Sequence, residues 1–301
     1  MALKVRPFTV PPNQRLEWTC GEAARHGRAR VAAGHSIARR SAAASEQRQE
    51  SDGSVVKIYA VALPKCGYGA PFEEVVAMTT FVLVHGAFGS SAELAPVIPE
   101  LEALGHRAIA VDLPCTDPAA TLDDYARTVV EAMAGIKGPV MVVGHSAGGA
   151  TISLVPGRTR VDRLIYVTAV VPEPGLSIAD VVGADVRETM LSVSHDDGNG
   201  CRSFDLEMLA SLAPPEEREA YLAFLRATQR PQGWAALEQP WPGRSLPDVP
   251  RTYVLCTEDQ IIPPARQREM AARLGVEPIE IASEHAVFTF RPRELAAVLA
   301  G

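Results

Sequence analysis

The chain has 301 residues, 47% hydrophobic and 6% aromatic, enough for one α/β domain with an insertion or for two smaller domains. Its net charge of −7 is uneven: residues 1–77 hold eleven Lys and Arg against seven Asp and Glu, and residues 78–301 hold eighteen against twenty-nine. An acidic main body argues against a nucleic-acid partner, and no apolar run approaches the ~20 residues that span a bilayer, which argues against a membrane protein.

Five cysteines (Cys20, Cys66, Cys115, Cys201, Cys256) share no close spacing, so neither a disulfide framework nor a zinc site reads out of them. A reducing, cytoplasmic compartment is expected. The seven histidines form no His-x-x-x-His pair, and no metal site is expected.

Residues 1–77 read as a poorly structured extension. Residues 25–30 and 39–45 are basic and rich in small residues, residues 46–54 are polar, and hydrophobic periodicity is weak. The Arg/Ala/Ser bias mildly resembles a transit peptide, while no apolar region follows to make a secretory signal. The favoured expectation is that Met78 is the natural start, because the ordered pattern begins abruptly at Thr79.

From residue 78 the pattern is regular. Residues 81–84 predict a buried strand, followed by the turn His85-Gly86-Ala87-Phe88-Gly89. Leu94, Val97, Ile98 and Leu101 have helical spacing and predict a helix over 91–104, ended by Gly105. A strand over 107–111 closes at Asp112-Leu113-Pro114, where Asp112 reads as a turn-capping carboxylate. An amphipathic helix follows over 122–134. Residues 140–143 are apolar and mostly β-branched, and run into Gly144-His145-Ser146-Ala147-Gly148, the pattern of a buried strand, a tight elbow and a helix start. A fourth strand is predicted over 163–168. Strand and helix alternate again from residue 252, with strands at 252–256 and 279–281 and helices over 264–274 and 292–299. Such alternation means an α/β fold, a mostly parallel sheet with helices on both faces. Between 172 and 248 it is interrupted by turn-rich pieces and one strong helix over 215–228, which reads as an inserted helical cap.

Serine needs a base within hydrogen-bond reach, oriented in turn by an acid. In an open parallel sheet such groups gather beyond the C-terminal strand ends. Ser146 follows one predicted strand, Asp259 another, and His285 the last. The order Ser, Asp, His is the one an α/β-hydrolase elbow leads one to expect. His285 would take the serine proton and Asp259 would fix its tautomer. Glu258 beside Asp259, and Glu173 after the fourth strand, remain alternative carboxylates. Two backbone donors are needed for the oxyanion, and Ala147 and Ala87 occupy the places. Phe88 is next in line to offer its N–H or to wall the pocket. His85 and His145 read as structural.

With those residues in place, the chain from about 80 to 299 resembles the α/β-hydrolase superfamily. Phe81-Val82-Leu83-Val84-His85-Gly86-Ala87, Gly144-His145-Ser146-Ala147-Gly148-Gly149 and Thr257-Glu258-Asp259-Gln260-Ile261-Ile262-Pro263 are similar to blocks of the branch holding plant methylesterases, hydroxynitrile lyases and small bacterial esterases. The lyases carry threonine after the first-strand histidine and lysine after the catalytic one. Here those positions are Gly86 and Ala286, which speaks against cyanohydrin cleavage. An aspartate nucleophile is excluded by Ser146.

The resemblance implies a cofactor-free serine esterase that cleaves a small carboxylic ester through an acyl-enzyme. Apolar candidates for its pocket are Phe88, Met208, Leu209, Phe224, Trp234 and Trp241. A non-hydrolytic small-molecule receptor, and a C–C bond or lactone hydrolase on the same triad, are the alternatives. The sequence names neither the natural substrate nor the oligomeric state.

Overall fold

A computed structural model of the chain describes residues 78–211, 215 and 218–301. The expectations for residues 1–77, including a start at Met78, concern a segment outside the described residues.

Strand β1 (Thr80–Val84) is buried at every position. The single helix expected over 91–104 is instead α1 (Ser91–Leu94), a 3-10 turn (Ala95–Val97) and α2 (Ile98–Ala103). Pro96 and Pro99 explain the break, since neither has an N–H for the helical ladder. β2 (Arg107–Val111) leads to α3 (Leu122–Ala132), which opens on a capping box. Thr121 Oγ1 accepts from the Asp124 N–H at 3.2 Å, and Asp124 Oδ2 accepts from the Thr121 N–H at 2.8 Å. β3 (Val140–His145), α4 (Gly148–Ile152) and β4 (Arg163–Val167) follow.

The insertion after β4 is not purely helical. It contains α5 (Ile178–Val182), α6 (Ala184–Ser192), β5 (Ser194–Asp196), β6 (Cys201–Phe204), α7 (Leu206–Ser211), α8 (Arg218–Thr228), β7 (Gln232–Gly233) and α9 (Ala235–Glu238). The three strands pair antiparallel in the order β5-β6-β7. The stretch over 195–200, read from sequence as turn-rich, is in part strand: His195 and Asp196 end β5, and residues 197–200 are the hairpin loop to β6. Asp196 Oδ1 accepts from the Gly198 N–H and Asn199 Oδ1 from the Cys201 N–H, the local bonds that favour Asx residues in turns.

The chain then rejoins the main sheet with β8 (Arg251–Cys256), α10 (Pro264–Leu274), β9 (Ile279–Ile281), α11 (Val287–Phe290) and α12 (Pro292–Ala300). The six strands run in the order β2-β1-β3-β4-β8-β9, every pair parallel. Alternate side chains serve two cores. Val82, Val142, Leu164, Tyr166 and Leu255 pack with Tyr125, Ile152 and Met270 on one face. Phe81, Leu83, Val143, Ile165 and Val254 pack with Leu101, Phe288 and Leu295 on the other. Covering both faces is why these strands read as unbroken apolar runs, each fully buried large side chain contributing about 1.5–3 kcal/mol.

Parallel register also aligns the strand ends. Val84 lies beside Gly144, Gly144 beside Tyr166, and Val167 beside Val254. Hydrogen bonding continues past the ends, from the Ser146 N–H to Val167 O, the Thr168 N–H to Val254 O and the Thr257 N–H to Ile281 O. The loops that leave this edge are therefore fixed by backbone.

Candidate active site

Ser146 occupies the elbow between β3 and α4 with φ 51°, in the left-handed region that costs a residue with a Cβ about 1–2 kcal/mol. The strain is held by two bonds, from the Ser146 N–H to Val167 O at 3.3 Å and from the Val170 N–H to Ser146 O at 2.9 Å. A Cβ at Gly148 would come within 2.6 Å of the His85 carbonyl oxygen, and one at Gly86 within 2.7 Å of the Ser146 Cβ. Those glycines are required because the first-strand turn and the elbow touch. Only two other residues with a Cβ have positive φ among the described residues, Phe88 at 61° and Thr168 at 40°. Both border the same site, where backbone strain tends to collect.

Asp259 follows β8 and His285 follows β9. His285 Nδ1 donates to Asp259 Oδ2 at 2.7 Å. The same oxygen accepts from Thr168 Oγ1 and from Gln267 Nε2, and Oδ1 accepts from the N–H groups of Ile261 and Ile262 at 2.8 and 2.9 Å. Burial favours the neutral carboxyl, but the charge and hydrogen bond of His285, with the bonds from Thr168 and Ile262, outweigh it and hold Asp259 below the ordinary carboxylate range. Burial likewise opposes a charged His285, and Asp259, with a smaller contribution from Glu93, raises its pKa above the usual histidine value. The Asp259 side chain is 0% exposed and that of His285 19%, so only the imidazole can meet a ligand.

The alternative carboxylates are engaged elsewhere or lack this setting. Glu173 pairs with Arg273 at 3.1 Å. Asp112 accepts from the Ser91 N–H and pairs with Arg230, a structural role. No hydrogen bond joins Ser146 Oγ to His285 among the described residues, a contact that often tightens only with substrate bound. The two segments are tied one residue away, where His145 Nε2 donates to the His285 carbonyl at 3.0 Å.

The first-strand turn lies against the elbow. His85 Nδ1 donates to Gly86 O at 2.8 Å and its Nε2 accepts from the Leu113 N–H at 3.0 Å, which makes it a neutral ring bracing the turn. Burial, partly opposed by the Gly86 bond, lowers its pKa. The N–H groups of Ala87 and Ala147 have no hydrogen-bond partner among the described residues. The Phe88 N–H donates to Gln232 Oε1 at 3.3 Å, and its ring stacks on Phe204 with centroids 4.0 Å apart.

Beside Ser146 opens a pocket lined among others by Phe88, Ala147, Val182, Met190, Trp234 and Ile262. Phe224 and Trp241, both expected in its lining, are not there, nor are Met208 and Leu209. Trp241 turns into the core beneath α4, donating from Nε1 to Ala150 O at 3.1 Å. Phe224 lies on α8 stacked with Tyr221, and α8 packs on α7 and α1. Much of the wall comes from α5 and α6 instead. Their signal was the capping box of Ser177 and Asp180, followed by apolar residues at Ile178, Val182, Val186 and Met190, four apart. Thr168 and Gln267 were also missed, and nothing in their local sequence sets them apart. Among the described residues no group of three His, Cys, Asp or Glu is placed to hold a metal ion, and no helix is long and apolar enough to cross a membrane.

An elbow serine at the C-terminal edge of a parallel sheet, a carboxylate and an imidazole paired at the ends of the strands two and three away, and an inserted cap together define a class. The chain belongs to the alpha/beta hydrolase family, whose model matches residues 81–298. It is 29% identical over 250 residues to a pyrethroid hydrolase from Sphingobium wenxiniae, covering 74% of this chain and 87% of that protein. It is 25% identical over 243 residues to methylesterase 1 of Arabidopsis thaliana, covering 72% and 92% respectively. The crystal structure of a pyrethroid hydrolase from Sphingobium faniae superposes with a TM-score of 0.61 at 27% identity, over 74% of this chain and 96% of that one. These relatives are named as hydrolases and esterases, consistent with a carboxylic ester hydrolase.

Proposed function

We propose that the chain hydrolyses carboxylic esters through an acyl-enzyme formed on Ser146, with His285 as general base and Asp259 as its orienting acid. The observation that carries this reading is the His285–Asp259 bond, which commits Nδ1 and leaves Nε2 as the nitrogen free to take a proton. Ser146 Oγ attacks the ester carbonyl as its proton passes to His285 Nε2. The resulting oxyanion accepts from the unpartnered N–H groups of Ala87 and Ala147, fixed donors that need no reorganisation. Collapse expels the alcohol, protonated by His285. Water, deprotonated by the same imidazole, then releases the acid and restores Ser146.

The pocket suits an apolar ester. Among the described residues Arg187 is its only charged lining residue, and that guanidinium is paired with Glu238. Gly86 and Ala286 stand where a cyanohydrin lyase of this branch would carry threonine and lysine, so no cation follows His285 to receive cyanide. Ser146→Ala tests the reading. Turnover of p-nitrophenyl acetate and labelling by a fluorophosphonate are expected to disappear together, a loss on the order of 10⁶ in kcat. Unchanged turnover in that variant refutes the assignment.

A further inference from the structure

Glu93, on α1 just after the first-strand turn, is 6% exposed, an unusual place for a carboxylate. Its Oε1 lies 3.0 Å from His145 Nδ1, an ion contact without hydrogen-bond alignment. Gly89 leaves the carboxylate its place, since a Cβ there would come within 2.5 Å of Glu93 Oε2 and push it aside. From the far edge of the same imidazole, Nε2 donates to the His285 carbonyl. The rings of His145 and His285 lie 4.8 Å apart, and Phe288 of α11 closes the other side of His145.

We propose that Glu93 and His145 form a second carboxylate–imidazole pair that positions His285 from its main-chain side. Neither touches the reacting atoms, so both are positioning residues, and the proposal rests on the esterase reading only for its catalytic consequence. Asp259 holds the Nδ1 edge of His285, and His145 holds its carbonyl, so the general base is oriented at two points by two acids. The link joins segments 140 residues apart, the strand that carries the nucleophile and the loop that carries the base. The titratable groups facing His285 are Asp259 from the β8 loop, Glu93 from α1 and His145 from β3. Glu93 is itself faced by His145, His85 and His285. Burial disfavours its ionisation, yet the charge of His145 beside it, with smaller contributions from those other rings, keeps it below the usual glutamate range. Its negative charge in turn favours the protonated form of His285.

Glu93→Gln tests this, because it keeps the shape and removes the charge. The titration of His285, followed by NMR in protein labelled with ¹⁵N-histidine, is expected to move toward lower pH. It is read in a Ser146→Ala background as well, so it does not depend on turnover. In the active enzyme the same substitution moves the acidic limb of kcat/KM to lower pH and lowers its plateau on the order of tenfold. Glu93→Asp, which restores a charge, returns the midpoint toward that of the wild type. Should Glu93→Gln fail to fold, His145→Asn replaces it and is expected to lower kcat more than it changes KM. An unmoved His285 midpoint in folded Glu93→Gln overturns the proposal. So does a loss fully explained by fewer sites titrated with fluorophosphonate, and so does a His145→Asn variant with wild-type kcat. Persistent turnover in Ser146→Ala would instead indict the esterase reading and leave the NMR result to stand alone.

Discussion

The floor and the roof of the pocket are built by different rules. The floor (Ser146, Asp259, His285 and the Ala87 turn) hangs from the ends of parallel strands, whose backbone bonds continue into the loops and hold three residues at positive φ. The roof is a set of short helices with apolar faces, anchored at one rim by the exposed Arg187–Glu238 pair. A surface pair of that kind contributes about 0–1 kcal/mol, whereas the floor is fixed by buried hydrogen bonds that are costly to leave unmade. On the proposed reading, chemistry that tolerates little misplacement sits on the part held by backbone, and the apolar roof would select among substrates.

The comparison breaks most visibly at Asp259, because five donors converge on its carboxylate. Asp259→Asn keeps the shape but presents an amide to His285 Nδ1, so the imidazole loses its tautomer and its charge partner. A fall of about 10⁴ in kcat is expected, with little change in KM. Wild-type kcat/KM is expected to rise with pH through an apparent pKa above the ordinary histidine value, since the base must be unprotonated and the charge of Asp259 makes His285 hold its proton more tightly. Without that charge the limb moves to lower pH. A pH–rate profile of the two proteins checks both points, and a limb that stays in place removes Asp259 from its role.

The floor was legible in the sequence for a physical reason, and most of the roof was not. An elbow needs small residues where turn and helix touch, so Gly144, Ser146 and Gly148 leave a mark on the chain. Strands buried on both faces leave another. Chain order then picks out His285 and points to Asp259, because strand ends meet at one edge. Thr168 and Gln267 leave no mark, since a polar residue ending a strand or lying within a helix looks the same whether it faces water or a buried carboxylate. The helix expected over 91–104 is broken because apolar spacing does not offset two prolines that remove N–H groups from its ladder. In the roof, a tryptophan says only that a large apolar surface will be covered. Whether it covers a ligand or the core depends on how the insertion folds back, and Trp234 and Trp241 went opposite ways.

Trp234 should therefore govern binding. Its ring lines the pocket 6.4 Å from Phe88, with the Arg202 guanidinium 5.4 Å from its centroid on a neighbouring strand. Trp234→Ala is expected to raise KM for a bulky apolar ester by about tenfold while leaving turnover of the small ester p-nitrophenyl acetate within about twofold. Equal losses on both esters would place Trp234 among the residues that shape the floor.

Trp241 should do the reverse, and its effect is the smallest. Trp241→Phe keeps most of the buried ring and deletes the Nε1 donor, leaving Ala150 O short of a partner in a dry setting. That costs about 1–3 kcal/mol of stability, seen as a lower denaturant midpoint at unchanged slope. Ala150 lies within α4, directly behind the elbow, so a shift transmitted along the helix would first disturb the Ala147 N–H. The backbone bonds on either side of Ser146 argue that it will not be transmitted, and kcat/KM is expected to stay within about twofold of the wild type. A drop in kcat well beyond the stability loss would show that the floor leans on the roof, and that the two regions are not separable.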